Sequence, residues 1–163
     1  MDKSLRDILE ESTDLFDDSE VLDRVYIENE DPPFVVIFVD DVQTNLDQYQ
    51  LLEEDHWDAH YFLRTEDAKK FLSENEVQVV VSDQKMPEEN GVSFLKHVKE
   101  SYPHIFRLLI TGFSEEALVI ASIKEAKVHD YFKKPYDPDD LTKKINNLCI
   151  RSFEDSFPRN VYV

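Results

Sequence analysis

Five short apolar runs punctuate the chain from residue 34 onward: Phe34–Val39, Ala59–Leu63, Val77–Ser82, Phe106–Thr111 and His129–Lys133. They are rich in β-branched and aromatic residues, and most lack polar alternation, as expected of strands buried on both faces of a parallel sheet. Between them apolar positions recur at helical spacing. Leu46, Tyr49 and Leu52 form one face, and Val92, Leu95, Val98 and Tyr102 another. Leu118, Ala121 and Glu125 mark a shorter helix, and Leu141, Ile145 and Leu148 close the series. Start signals agree with this reading: Thr65 precedes Glu66 and Asp67, Ser114 precedes Glu115 and Glu116, and Asp137 precedes Pro138. Strand and helix alternating five times predict a three-layer α/β sandwich around a parallel sheet.

The texture differs on either side of this block. Residues 1–33 carry 12 acids and 3 bases and read as an acidic N-terminal extension, disordered or partly helical. Residues 34–150 form the α/β domain, and 151–163 read as a C-terminal tail or the start of a linker to an absent output domain. At 163 residues the chain fits one domain with flanking segments.

Composition narrows the function classes. A formal net charge of -18 repels phosphate backbones and anionic lipid, so neither nucleic acid nor a membrane surface is an expected partner. Two glycines leave no dinucleotide fingerprint and no P-loop. One cysteine, Cys149, excludes an internal disulfide and reads as a small core residue. No apolar run is long enough to span a bilayer, and the polar start lacks a signal-peptide stretch, so a cytoplasmic protein is expected. His56 and His60 are four residues apart but flank Trp57 at the approach to a strand, which disfavours a metal site.

The strand ends carry the chemistry. The first run ends in Asp40-Asp41, the third in Asp83, the fourth in Thr111-Gly112 and the fifth in Lys134-Pro135. In an open parallel sheet all of these lie at the carboxyl edge, where ligands bind. Three carboxylates packed together cannot all stay ionised without a cation, and an all-oxygen site suits Mg²⁺ better than Zn²⁺. One carboxylate could then act as a nucleophile towards a phosphoryl group, with the Lys ammonium and the Thr hydroxyl neutralising and orienting its oxygens. Gly112 leaves room for that group.

Over residues 34 to about 150 the chain resembles the receiver domain of two-component response regulators. The resemblance rests on four stretches: Asp40-Asp41; Asp83-Gln84-Lys85-Met86-Pro87; Thr111-Gly112; and Tyr131 through Lys134-Pro135. It implies a flavodoxin-like fold with strand order 2-1-3-4-5. It further implies that Asp83 accepts phosphate from a sensor histidine kinase or phosphotransfer protein. Asp41 and Asp83 would bind Mg²⁺, Asp40 would act largely through water, and the Lys85 carbonyl would be a further ligand. Thr111 and Lys134 would grip the phosphoryl group. Tyr131 would turn inward when Thr111 moves, remodelling the face made by the fourth helix, fifth strand and fifth helix, through which a homodimer could also form. Lys134 is preferred to Lys133 because it directly precedes the proline and because side chains alternate along a strand. The bulk of Lys85 and Phe113 beside the acceptor predicts slow loss of phosphate.

Two other readings use the same residues. One is a Mg²⁺-dependent phosphatase with an Asp nucleophile, but positions two after Asp40 and Asp83 are Val42 and Lys85 where that class wants an acid. The other is a degenerate receiver that binds partners without phosphorylation. The leading expectation is a phosphoprotein of phosphorelay signalling, with no enzymatic turnover beyond its own phosphorylation and dephosphorylation.

Overall fold

The computed structural model describes residues 34–112, 120 and 123–155. Five strands, β1 (Phe34–Val39), β2 (Trp57–Phe62), β3 (Val79–Asp83), β4 (Phe106–Thr111) and β5 (Asp130–Lys133), form one sheet in the order β2-β1-β3-β4-β5. Every pairing is parallel. The connecting helices are α1 (Gln43–Gln50), α2 (Thr65–Glu74), α3 (Gly91–Ser101), α4 (described over residues 123–126) and α5 (Pro138–Asp155). Among the described residues no helix is long and apolar enough to cross a membrane.

Alternation along the strands divides the core into two layers. Phe34, Val36 and Phe38 of β1 join Val79, Val81, Leu108 and Ile110 under α1 and α5, where Leu46, Tyr49, Leu141, Ile145 and Leu148 are buried. Ile37 and Val39 point the other way, with Val80 and Leu109, against Ala68, Leu72, Phe94, Leu95 and Val98 of α2 and α3. The apolar runs read as strands are continuous because both faces are covered in this way.

The expected boundaries shift where tertiary packing decides them. β2 begins at Trp57 rather than Ala59, because the indole is buried and Trp57 pairs with Phe34. Its Nε1 donates to Asn146 Oδ1 on α5 at 2.8 Å, and His56 Nε2 reaches the same oxygen at 2.9 Å. His60 instead pairs with Asp58 at 3.0 Å and packs on Phe71. α1 stops at Gln50, so Leu52 lies past its end. Thr65 is the first helical residue of α2 rather than its cap, since Arg64 holds the extended cap conformation. Asp137 behaves as expected, with its Oδ1 accepting from Asp139 N–H at 2.9 Å before Pro138.

The expected tail from Arg151 is corrected as well. α5 runs on through Asp155, because Phe153 packs against the core and the Arg151 guanidinium lies 5.1 Å from the Phe106 ring centre. Cys149 is fully buried on α5, and burial pushes its thiol well above the ordinary range. The acidic extension, the end of the tail, and Phe113, Ser114, Leu118 and Ala121 lie outside the described residues.

Candidate phosphoryl and metal site

Asp40 and Asp41 follow β1, and Asp83 ends β3, its immediate neighbour in the sheet. One carboxylate oxygen from each lies within 4.8 Å of the others. Asp83 is 6% exposed and meets Lys134 Nζ at 2.7 Å from its Oδ1. Lys134 reaches it from beyond β5 because its N–H donates to the Thr111 carbonyl at 2.7 Å, which extends the β4–β5 ladder by one step. The Lys134–Pro135 peptide is cis. Lys133 lies opposite Thr111 in register, one place earlier on the alternating strand.

The carboxylates are held differently. Asp40 is fully buried, and both of its oxygens accept hydrogen bonds. Val42 N–H donates to Oδ1 at 3.0 Å, Asn45 Nδ2 to Oδ2 at 3.1 Å, and the Tyr49 hydroxyl to Oδ2 at 3.3 Å. Burial nonetheless pushes the Asp40 carboxyl above the usual range, and the neighbouring Asp83 charge adds to this. The Tyr49 hydroxyl is pushed upward too, by burial first and then by Asp40. Asp41 is the opposite case: its Oδ1 is buried with no hydrogen-bond partner among the described residues. A buried carboxylate oxygen without a donor beside two further carboxylates is costly unless a cation meets it. The donor set is oxygen throughout and fits a hard divalent ion.

The remaining expected residues take definite places. Thr111 ends β4 at the same edge, and its hydroxyl donates to the Gly112 carbonyl at 3.3 Å rather than to a carboxylate. A Cβ at Gly112 would meet nothing within 4 Å, so this side of the edge is open. Lys85 is exposed in the loop after Asp83. Tyr131 lies opposite Leu109 and is 39% exposed, so in this conformation it faces outward.

Four supporting residues escaped the sequence reading. Asn45 and Tyr49 lie on α1, where Tyr49 registered only as an apolar-face position. Gly91 opens α3 under Asp83, and a Cβ there would fall well inside contact of the Asp83 carbonyl oxygen. Glu89 lies in the loop between them. Spacing from the carboxyl edge could have pointed to Gly91, since a glycine in a chain holding two is conspicuous eight residues after Asp83. The loop closes on Gln84, whose N–H donates to the Ile110 carbonyl at 2.8 Å and whose Oε1 accepts from Val92 N–H at 2.9 Å.

Comparison with known proteins agrees with this geometry. The family model for the response regulator receiver domain matches residues 36–146. The hydrogenase transcriptional regulatory protein HoxA of Cupriavidus necator is 32% identical over 111 residues, covering 68% of this chain and 23% of its own length. The response regulator SaeR of Staphylococcus aureus is 30% identical over 118 residues, covering 71% of this chain and 50% of its own length. The chain thus spans half or less of these curated relatives. Among solved structures, a protein from Neptuniibacter caesariensis aligns with a TM-score of 0.72 at 29% identity, covering 80% of this chain and 96% of that one. A response regulator receiver domain protein from Clostridium thermocellum aligns at 0.68 with 27% identity, covering 74% and 98%. A sheet ordered β2-β1-β3-β4-β5, an acidic corner at its carboxyl edge and a family match over most of the length lead to one conclusion: the chain belongs to the response regulator receiver domain family, a signalling family rather than a class of enzymes.

Proposed function

We propose that Asp83 is the phosphoacceptor of a phosphorelay. Its oxygen forms the new O–P bond as the N–P bond of a donor phosphohistidine breaks, and the leaving imidazole nitrogen keeps the electron pair and takes a proton. The observation that carries this reading is the Lys134 ammonium 2.7 Å from a buried Asp83, with two more carboxylates beside it. Lys134 and Thr111 orient and neutralise the transferred oxygens. Asp41 and Asp83 would hold Mg²⁺, with Asp40 acting through water and the Lys85 carbonyl as a further ligand. A divalent ion held by these residues would supply charge neutralisation for the transfer.

The output follows from a bias between two arrangements, in which Tyr131 turns inward with Thr111 and the face formed by α4, β5 and α5 changes. Partners are a sensor histidine kinase or phosphotransfer protein, and a second copy of the chain through that face. Residues 34–155, to the end of α5, form the receiver module, with 1–33 as an extension and the end of the chain as a tail or linker. The location is cytoplasmic.

Incubation with Mg²⁺ and a small phosphodonor, followed by intact mass measurement, should give a single base-labile phosphoryl adduct per chain, lost in Asp83→Asn and on chelation. Turnover of many donors per chain would instead make the protein a hydrolase, and no adduct would make it a phosphorylation-independent binding module.

Asp41→Asn isolates the metal part of the reading. Removing one of three crowded charges should raise the stability of the metal-free protein by about 1 kcal/mol. Wild type in Mg²⁺ at tenfold the Kd should gain about 1.4 kcal/mol, and the variant almost nothing. Urea titrations with and without Mg²⁺ check both, and equal gains in the two proteins would exclude Asp41 as a ligand.

A further inference from the structure

The loop from Asp83 to α3 is tied to α2 and to the Arg64 that precedes it by two ion pairs beside a groove that opens on Asp41. Lys69 Nζ lies 2.8 Å from Glu89 Oε1, a charge contact to a buried oxygen that accepts no aligned hydrogen bond among the described residues, and Arg64 Nη2 lies 3.4 Å from Glu88 Oε2. The two pairs are not equivalent. Glu89 and Lys69 side chains are 22% and 32% exposed, whereas Arg64 and Glu88 are 55% and 71% exposed and largely screened by solvent. Ser93 Oγ also donates to Glu89 Oε2 at 3.2 Å. Burial works to raise the Glu89 carboxyl, but these donors outweigh it and hold the group below its ordinary range, so it is an anion at neutral pH.

The groove measures about 380 Å³ and has Asp41, Leu63 and Thr65 on its walls with Met86, Pro87 and Glu89. The near end of the loop is fixed by Gln84 to β4 and α3. Residues 85–90 lie between that anchor and α3, with Glu89 as their half-buried tie to α2. We infer that Glu89, held by Lys69, is a positioning residue that fixes this loop relative to Asp41 and thereby sets the affinity of the acidic cluster for a divalent cation. The inference rests on the proposed Mg²⁺ reading of that cluster.

Coulomb's law gives the test its leverage. Removing the Lys69 charge by Lys69→Met would, through space alone, make the site more negative and strengthen cation binding. Positioning demands the reverse. Calorimetric titration of the full chain with Mg²⁺ should show Lys69→Met and Glu89→Gln each weakening binding roughly three- to tenfold, less than the loss typical of groups bonded directly to a ligand. The double variant should be no weaker than the worse single, and the exchange Lys69→Glu with Glu89→Lys should recover most of the affinity. Urea midpoints without metal should not follow the affinity losses. Tighter or unchanged Mg²⁺ binding in Lys69→Met, additive losses in the double variant, or affinity falling in step with stability would overturn the inference. Should Glu89→Gln or the exchanged pair fail to fold, Lys69→Met alone decides. Absence of Mg²⁺ binding in wild type, or full binding in Asp41→Asn, would instead remove the reading beneath it, and the inference with it.

Discussion

Gly91→Ala should cost the domain roughly 2–3 kcal/mol, lowering the urea midpoint by about 1–2 M at unchanged slope. The reason is contact, not backbone freedom, since no glycine here has a positive φ. Alanine is the better helix former by close to a kilocalorie per mole, so propensity alone predicts a gain. The new methyl, however, would be driven into the Asp83 carbonyl oxygen and against the Leu109 side chain. One of these is backbone of a central strand and cannot yield cheaply. Whatever movement relieves the overlap also displaces Asp83, so adduct formation should slow in the same variant. Gly112→Ala is the control: its Cβ would find open space, and stability should change by no more than about 0.5 kcal/mol. Equal effects at the two glycines would refute the contact argument.

Lys134→Met should slow adduct formation on Asp83 about 10²- to 10³-fold, the usual cost of deleting one preorganised charge stabiliser. It should also lower the stability of the metal-free protein by roughly 1–3 kcal/mol, because a buried carboxylate loses its cation beside two like charges. The side chain is 36% exposed, so solvent compensates part of the loss. Mg²⁺ should then stabilise this variant more than wild type, since the ion takes over neutralisation that the ammonium performed. Single-turnover mass measurements and urea titrations check the two parts separately. Lys133→Met should leave the rate within about threefold of wild type, as strand alternation turns that residue away from the carboxylates. A comparable defect at both lysines would mean that the chemistry needs only local positive charge.

How far the sequence could be read depended on whether each feature is local. The strands were legible because a parallel sheet covered on both faces demands unbroken apolar runs, and Phe34–Val39 and Phe106–Thr111 match the structure to the residue. The site was legible because topology sends every strand end to one edge, so Asp40, Asp41, Asp83, Thr111 and Lys134 could be grouped without knowing any distance. Contacts between elements were not. Nothing in the α1 sequence distinguishes a Tyr49 that fills a core from one that also bonds Asp40, and the pairing of Lys69 with Glu89 spans twenty residues. The cap at Thr65 failed because capping is set by backbone torsion, and Arg64 took the extended conformation first. The end of α5 was hidden by polar residues around Phe153, whose packing on the core carries the helix past Ile150.

The shared Asn146 oxygen has a practical corollary. The chain contains one tryptophan, and its indole is 3% exposed and bonded to α5 at the end of the sheet remote from the carboxylates. Intrinsic fluorescence therefore watches a single seam, the docking of the last helix on the edge strand. Emission that changes when ligand enters the acidic corner would be light from the far end of the molecule, a direct optical record of long-range communication through the sheet.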